Sequence, residues 1–163
     1  MVSIINILNV FESNKNGDLG TDLILFIFDE IKKRQWKGIS RLQIIKILYL
    51  LDKDSVKKNS KKISKYIFTK NKLGPFSNDI VADLENLKNN GFLENVDFYY
   101  MYNLIKPVNS DDIVRVKTAI KDFDLELEFN NIIEKAKDVN SLLEYVENLN
   151  EVKKASLGEE IRI

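Results

Sequence analysis

Cysteine and histidine are both absent from this sequence of 163 residues. Their absence excludes disulfides, thiol nucleophiles, imidazole bases and nearly all zinc and haem sites. Long apolar runs are missing too: the longest covers residues 23–28, whereas a membrane-spanning helix needs about 20 such residues. Residues 1–5 carry neither a basic segment nor a small-residue cleavage site. We therefore expect a cytoplasmic protein that does not bind a membrane.

Catalytic motifs are also missing. The sequence holds no phosphate-binding loop, no dinucleotide fingerprint and no nucleophile elbow. Four acidic residues alternate along one stretch, at Asp122, Asp124, Glu126 and Glu128. A helix would spread this pattern around its circumference, so solvated carboxylates are favoured over a Mg²⁺ site or a general acid–base pair. We expect no enzymatic activity, no cofactor and no bound metal.

The formal net charge is zero, but the charges are unevenly distributed. Residues 1–72 carry 15 Lys and Arg against 7 Asp and Glu, whereas residues 73–163 carry 10 against 18. The basic excess concentrates between Lys32 and Lys72. Such a segment could attract phosphate groups, the acidic half of the same chain, or a second copy paired head to tail as a homodimer. An ordinary solvated surface is the remaining alternative.

The first half of the chain shows helical periodicity. Apolar residues spaced three and four apart predict helices over residues 2–13, 21–36 and 40–51. The polar, lysine-rich stretch 52–65 then predicts a loop with a short helical turn, and residues 66–69 favour a brief strand.

The most informative segment begins at a Gly-Pro pair. Gly74 and Pro75 predict a turn, and Ser77 can cap a following helix through its hydroxyl group. Apolar residues at helical spacing continue that helix over residues 78–90. Gly91 then supplies the left-handed conformation that commonly ends a helix.

An aromatic, strand-like stretch, residues 92–105, follows this helix and predicts a β-hairpin. A short capped helix between a turn and a hairpin is typical of the second helix and wing of a winged helix-turn-helix. We therefore predict a mainly α fold with a small β-hairpin. Its parts are an N-terminal helix within residues 1–20, a winged helix-turn-helix-like core over 21–107, and a C-terminal helical bundle over 108–163 packed on that core.

Two short motifs resemble those of a known family. Residues 44–50, Ile-Ile-Lys-Ile-Leu-Tyr-Leu, are similar to an L-Q-K-L-L-Y-L helix, and residues 73–77, Leu-Gly-Pro-Phe-Ser, to a Y-G-P-[VF]-S turn. Both occur, in this order, in the phage-associated Panacea (SocA-like) antitoxin superfamily, and residues 142–146 give a weaker third match. Ile45 and Leu73 depart from the family pattern. The resemblance implies a winged-helix-like core with helical additions, a mobile-element or toxin–antitoxin setting, and no catalytic residues.

Our leading hypothesis is a regulatory protein that binds DNA. In a helix-turn-helix the second helix presents its N-terminal residues to base edges, but the helix over 78–90 offers three acids and one lysine, and phosphates would repel the acids. We therefore expect the wing and the basic segment to hold DNA phosphates in a salt-sensitive, largely sequence-independent manner. The predicted nucleic-acid-binding residues are Lys53, Lys57, Lys58, Lys61, Lys62, Lys65, Lys70 and Lys72.

The alternative hypothesis is an antitoxin-like or adaptor-like module that binds a toxin-like or regulatory protein and no nucleic acid. The polar face of the helix over 78–90 and the C-terminal helices would then contact the partner. The predicted partner-binding residues are Asn78, Asp79, Asp83 and Asn86. The aromatic run 98–102 could stack on bases, although packing of one strand face on the core is favoured, and Trp36 is expected to be a partly buried packing residue.

Overall fold

The structure is a computed structural model that describes residues 19–163, and it is mainly helical with small antiparallel sheets. The helix predicted over residues 2–13 lies outside the described residues. In chain order the elements are α1 (Thr21–Lys33), β1 (Ile39–Ser40), α2 (Arg41–Asn59), β2 (Thr69–Asn71), β3 (Gly74–Phe76), α3 (Asn78–Asn89), β4 (Leu93–Val96), β5 (Phe98–Leu104), α4 (Ser110–Asp122), α5 (Glu126–Ala136), α6 (Val139–Glu147) and α7 (Asn150–Lys154). None of the described helices has the length and apolar character that crossing a bilayer requires.

Helix α2 lies at the centre of the molecule. Every residue from Gln43 to Asp52 is buried in it, and it contacts α5, α6, β1, β3 and β5. The predicted end near residue 51 is wrong, because the helix continues for two more turns to Asn59. The loop predicted over 52–65 was inferred from polar composition, but Asp52 and Ser55 are buried and hydrogen-bonded inside the fold.

Helix α3 agrees with its prediction. The Ser77 hydroxyl accepts a hydrogen bond from the Ile80 amide over 3.3 Å, and Gly91 has a φ of 84°. The apolar stripe of Ile80, Leu84 and Leu87 is buried. Capping, periodicity and the stop signal all lie within this one segment, which is why the sequence alone located it.

The Gly-Pro pair and the strand before it lie elsewhere than predicted. Gly74 and Pro75 belong to β3, which pairs antiparallel with β2, and the turn falls at residues 72–73. The predicted strand 66–69 overlaps the observed strand Thr69–Asn71 only at its last residue. Proline is tolerated here because a two-stranded hairpin leaves it at a sheet edge.

A three-stranded antiparallel sheet carries the predicted hairpin. Its strand order is β1–β5–β4, with Ile39 opposite Tyr102 and Leu93 opposite Leu104. Tyr102 and Leu104 are buried, so one side of β5 packs on the helices, as period-two alternation requires. The segment after α7 pairs with β2, where the Lys70 amide donates to the Glu159 carbonyl over 2.8 Å.

The predicted C-terminal bundle consists of four helices, α4 to α7, whereas the apolar spacing over residues 110–152 predicts three helical segments. Val116, Phe129, Leu142 and Val152 from these helices join the same hydrophobic core as α1 and α2. The additional break lies at residues 148–149, between the end of α6 at Glu147 and the start of α7 at Asn150.

A buried lysine ties α2 to the β2–β3 hairpin. Lys46 is 1% exposed, and its ammonium donates to the Pro75 carbonyl over 2.5 Å. Gly74 has a φ of 93°, and a Cβ there would lie 3.5 Å from Lys46 Nζ. Burial lowers the pKa of Lys46 to about 8, and the Glu147 carboxylate opposes part of this shift.

We expect the pKa of Lys46 to make stability depend on pH. Between about pH 8 and the ordinary value of 10.5, the unfolded chain binds a proton that the folded chain does not, so the free energy of unfolding rises with pH, approaching about 1.4 kcal/mol per pH unit. Urea unfolding from pH 7 to 9.5 should show this rise in the native chain and not in Lys46→Met. Parallel curves for the two chains would contradict it.

We expect Asp52 to be required for stability. Its buried carboxylate accepts hydrogen bonds from the Ile63 and Ser64 amides over 3.1 and 2.8 Å. Asp52→Ala leaves both donors buried without a partner and should lower the free energy of unfolding by about 3 kcal/mol. Asp54→Ala, on the same helix but half-exposed, is the matched control and should change it by less than about 0.5 kcal/mol.

Candidate partner-binding groove

An open groove of about 920 Å³ crosses one side of the molecule. It lies between the N-terminus of α2, strand β5 and the junction of α5 with α6. Most of its lining is apolar, whereas the guanidinium of Arg41 and the ammonium of Lys137 supply positive charge. The apolar side chains that line it are Trp36, Leu42, Phe76, Met101 and Val139.

A capping box sets one wall of the groove. The Ser40 hydroxyl accepts from the Gln43 amide over 3.1 Å, and the Gln43 side-chain oxygen accepts from the Ser40 amide over 2.8 Å. The Gln43 side-chain amide then donates to the Ala136 carbonyl over 2.8 Å. One buried glutamine thus joins the start of α2 to the end of α5, and this bond holds the α5–α6 junction opposite β5.

Arg41 is held at the groove edge by a network of side chains. Its guanidinium lies 3.1 Å from the Tyr102 hydroxyl and 3.4 Å from the Glu85 carboxylate, and the Tyr102 hydroxyl donates to Glu85 over 2.8 Å. The guanidinium also lies 4.8 Å from the centre of the Tyr100 ring, a cation–π distance. Burial, with the hydrogen bond to Glu85, raises the pKa of Tyr102, so the hydroxyl keeps its proton. These contacts together hold the Arg41 guanidinium at the edge of the groove.

The chain between α1 and β1 closes the floor of the groove. A Cβ added at Gly38 would meet Val96 Cγ2 at 2.9 Å and the Tyr102 carbonyl at 3.1 Å, so this position has no room for a side chain. Nearby, the indole nitrogen of Trp36 and the Nε atom of Arg41 are buried without a hydrogen-bond partner within residues 19–163.

Half of the predicted nucleic-acid-binding lysines lie within 4 Å of carboxylates of the same chain. Lys53 lies 2.5 Å from Glu151, and Lys58 lies 2.6 Å from Glu128. The other two such pairs are Lys62 with Asp52 and Lys65 with Asp83. The acidic half of the chain thus neutralises part of the basic segment, one of the alternatives left open by the charge distribution.

Four other predicted lysines have no carboxylate within 4 Å among residues 19–163; they are Lys57, Lys61, Lys70 and Lys72. The Lys61 ammonium lies 4.8 Å from the centre of the Phe123 ring, and Lys70 donates to the Lys153 carbonyl over 3.4 Å. Lys57 and Lys72 are exposed. The eight lysines therefore do not form one uniform cationic surface.

The predicted partner-binding residues lie along α3, but not all are equally accessible. Asn78, Asp79 and Asn86 are exposed. Asp83 is half-buried and accepts a hydrogen bond from the Tyr66 hydroxyl over 2.7 Å. Three of the four residues are thus open to a partner, and the fourth holds α3 against the segment after α2.

Two further candidate sites were the acidic stretch from Asp122 to Glu128 and the aromatic run 98–102. Asp122, Asp124 and Glu126 are exposed, and Glu128 pairs with Lys58, as expected for solvated or paired carboxylates. Within the aromatic run, Tyr102 is buried and Tyr100 is exposed, so that face is not a flat platform of stacked rings.

Sequence reasoning did not identify the groove. Ser40 and Gln43 stand at the spacing of a capping box, which indicates the N-terminus of α2, the helix that forms one wall of the groove. Trp36 was considered only as a packing residue. The approach of Val139 to Met101 depends on how α5 and α6 pack, and no local pattern in the sequence reports that packing.

Comparisons with models of known families, with curated proteins and with solved structures found no match to this chain.

Proposed function

We propose that this chain is a non-enzymatic, antitoxin-like or adaptor-like protein-interaction module that binds an apolar, acid-bearing segment of a partner protein in the groove. The observation that carries the proposal is the groove itself, a mostly apolar cavity of about 920 Å³ lined also by Arg41 and Lys137. An exposed apolar groove of this kind is typical of sites that bind an amphipathic helix. Arg41 and Lys137 would pair with carboxylates that flank the apolar residues of the partner.

The order of elements also supports a binding role. Helix α1, strand β1, helices α2 and α3, and the β4–β5 hairpin occur in this order, with the β2–β3 hairpin between α2 and α3. This order and the strand order β1–β5–β4 support the proposed winged-helix-like core. In that comparison α3 is the recognition helix and β4–β5 the wing. The groove lies beside both, since Phe76 directly precedes the cap of α3 and Met101 belongs to β5.

Electrostatics favour a protein over DNA at this face. Asp79 is exposed on α3, and Glu94 and Asp97 are exposed on the hairpin. Carboxylates placed where a winged helix meets DNA would be repelled by phosphates. The same carboxylates are compatible with a protein partner, because a protein surface, unlike a phosphate backbone, is not uniformly negative.

A single substitution that places a carboxylate in the groove tests whether the groove is the binding site. Val139 is the first residue of α6 and lines the groove, and an acid in the first turn of a helix is tolerated. Val139→Asp should weaken binding of a purified partner at least about tenfold, because an apolar contact is lost and the new carboxylate competes with the carboxylates of the partner for Arg41 and Lys137. The measurement is isothermal titration with a partner first captured by cross-linking and identified by mass spectrometry.

Val114→Asp is the matched control for this experiment. Val114 is 59% exposed on α4 and does not line the groove. It should leave the partner affinity unchanged. Equal affinities for the native chain and Val139→Asp would remove the groove as the binding site.

DNA binding through the basic segment is the second candidate function, and the accessible lysines favour it. Lys57→Ala combined with Lys61→Ala should lower DNA affinity and reduce the salt slope of log K by about 2, since each released phosphate contact contributes about 0.9. Lys53→Ala combined with Lys58→Ala is the charge-matched control, because both lysines are paired internally. Fluorescence anisotropy with a labelled duplex at several salt concentrations is the measurement, and no binding at low salt would reject this function.

A further inference from the structure

We propose that Arg41 selects a carboxylate of the partner segment, and that in the free protein Glu85 of α3 competes for the same guanidinium. The inference rests on the proposed function, and it adds which residue recognises the acid of the partner and which residue of the chain opposes that recognition. Three observations carry it: the unequal surroundings of the two cations, the geometry of the guanidinium, and the exposure of Glu85.

The two cations of the groove have different surroundings. The Lys137 side chain is 54% exposed and lies 3.3 Å from the Glu134 carboxylate. The Arg41 side chain is only 18% exposed, and its guanidinium lies against the ring of Tyr100, which also lines the groove. Solvent and salt screen a partly buried guanidinium less than an exposed ammonium. Arg41 is therefore the cation that recognises an acid in the groove.

The geometry of the guanidinium makes Nη2 of Arg41 the decisive atom. A carboxylate binds a guanidinium most strongly through two parallel N–H groups. Either edge that offers such a pair, Nε with Nη2 or Nη1 with Nη2, includes Nη2. This atom lies 3.1 Å from the Tyr102 hydroxyl and 3.4 Å from Oε1 of Glu85, so two acceptors of the same chain already contact it. A carboxylate of the partner has to replace one of them.

Glu85 is the acceptor that can be replaced. Its distance of 3.4 Å from Nη2 is longer than a usual hydrogen bond, and its side chain is 39% exposed, so water can solvate the carboxylate. The Tyr102 hydroxyl donates to Glu85 over 2.8 Å, and this bond does not depend on Arg41. Tyr102 itself is fully buried in the core. The acid of the partner therefore takes the place of Glu85 on Arg41.

Two small probes of nearly the same shape measure this selection without the partner. Phenylbutyrate carries a carboxylate at the end of an apolar chain, and phenylbutanamide carries a neutral amide in its place. The emission of Trp36, the lone tryptophan of the sequence and part of the groove lining, reports their binding. The native chain should bind phenylbutyrate with a dissociation constant on the order of 1 mM, at least about threefold more tightly than the amide.

Four variants assign the selection to its residues. Arg41→Gln should remove the preference for phenylbutyrate, whereas Lys137→Gln should reduce it less than about twofold. Glu85→Gln keeps an acceptor for the Tyr102 hydroxyl but removes the competing charge. It should therefore tighten the binding of phenylbutyrate at least about threefold and leave that of phenylbutanamide unchanged. Glu144→Gln is the matched control and should change neither affinity, because Glu144 is exposed on α6 and does not line the groove.

Three results would each overturn the proposal. They are equal affinities of the native chain for the two probes, a preference for phenylbutyrate that persists in Arg41→Gln, and binding of phenylbutyrate that is unchanged or weaker in Glu85→Gln. The absence of saturable binding of either probe would overturn it as well. Circular dichroism verifies that every variant keeps the helical content of the native chain, so that a lost preference is not a lost fold.

The two proposals fail separately. Equal binding of the acid and the amide would reject the selection by Arg41 and leave the apolar groove available to a partner. A preference for phenylbutyrate that Arg41→Gln removes, together with a partner affinity that Val139→Asp leaves unchanged, would retain the selection and reject the proposed function.

Discussion

The burial of α2 is the constraint on which the other elements depend. A helix buried from Gln43 to Asp52 must satisfy every polar group it carries inside the fold, and each of them recruits a different neighbour. Gln43 bonds to the end of α5, Lys46 to the β2–β3 hairpin, and Asp52 to the segment after the helix. Apolar contacts hold these elements together without setting their positions. The directional hydrogen bonds of the buried polar groups set their relative positions.

The placement of charge bears on both proposed functions. The sequence separates basic and acidic residues into two halves, and the fold brings the halves together, so that Lys53, Lys58 and Lys65 lie near acids of the other half. Exposed ion pairs of this kind add little stability, but they reduce the positive potential available to a phosphate backbone. Among residues 19–163 the apolar groove stays open, and it is the basis of the protein partner proposed above.

Local signals in the sequence predicted local structure well. The cap, stripe and glycine stop of α3 lie within sixteen residues, from Ser77 to Phe92, and they located the helix; the strands of the hairpin were located by their alternation. The end of α2 could not be predicted, because the burial of Asp52 and Ser55 depends on residues far along the chain. The groove was hidden for the same reason: its walls, at Trp36, Met101 and Val139, are separated by dozens of residues, and only tertiary packing brings them together.

The C-terminal segment protects the β2–β3 hairpin from unwanted association. Strand β2 would expose unpaired backbone groups on one side, and such groups are templates for pairing with another molecule. The amides of Lys70 and Ile161 and the carbonyls of Phe68 and Glu159 pair across this side, and Ile161 is buried. The end of the described chain therefore serves as a built-in safeguard against intermolecular β-sheet growth, and any fusion attached there has to leave this pairing intact.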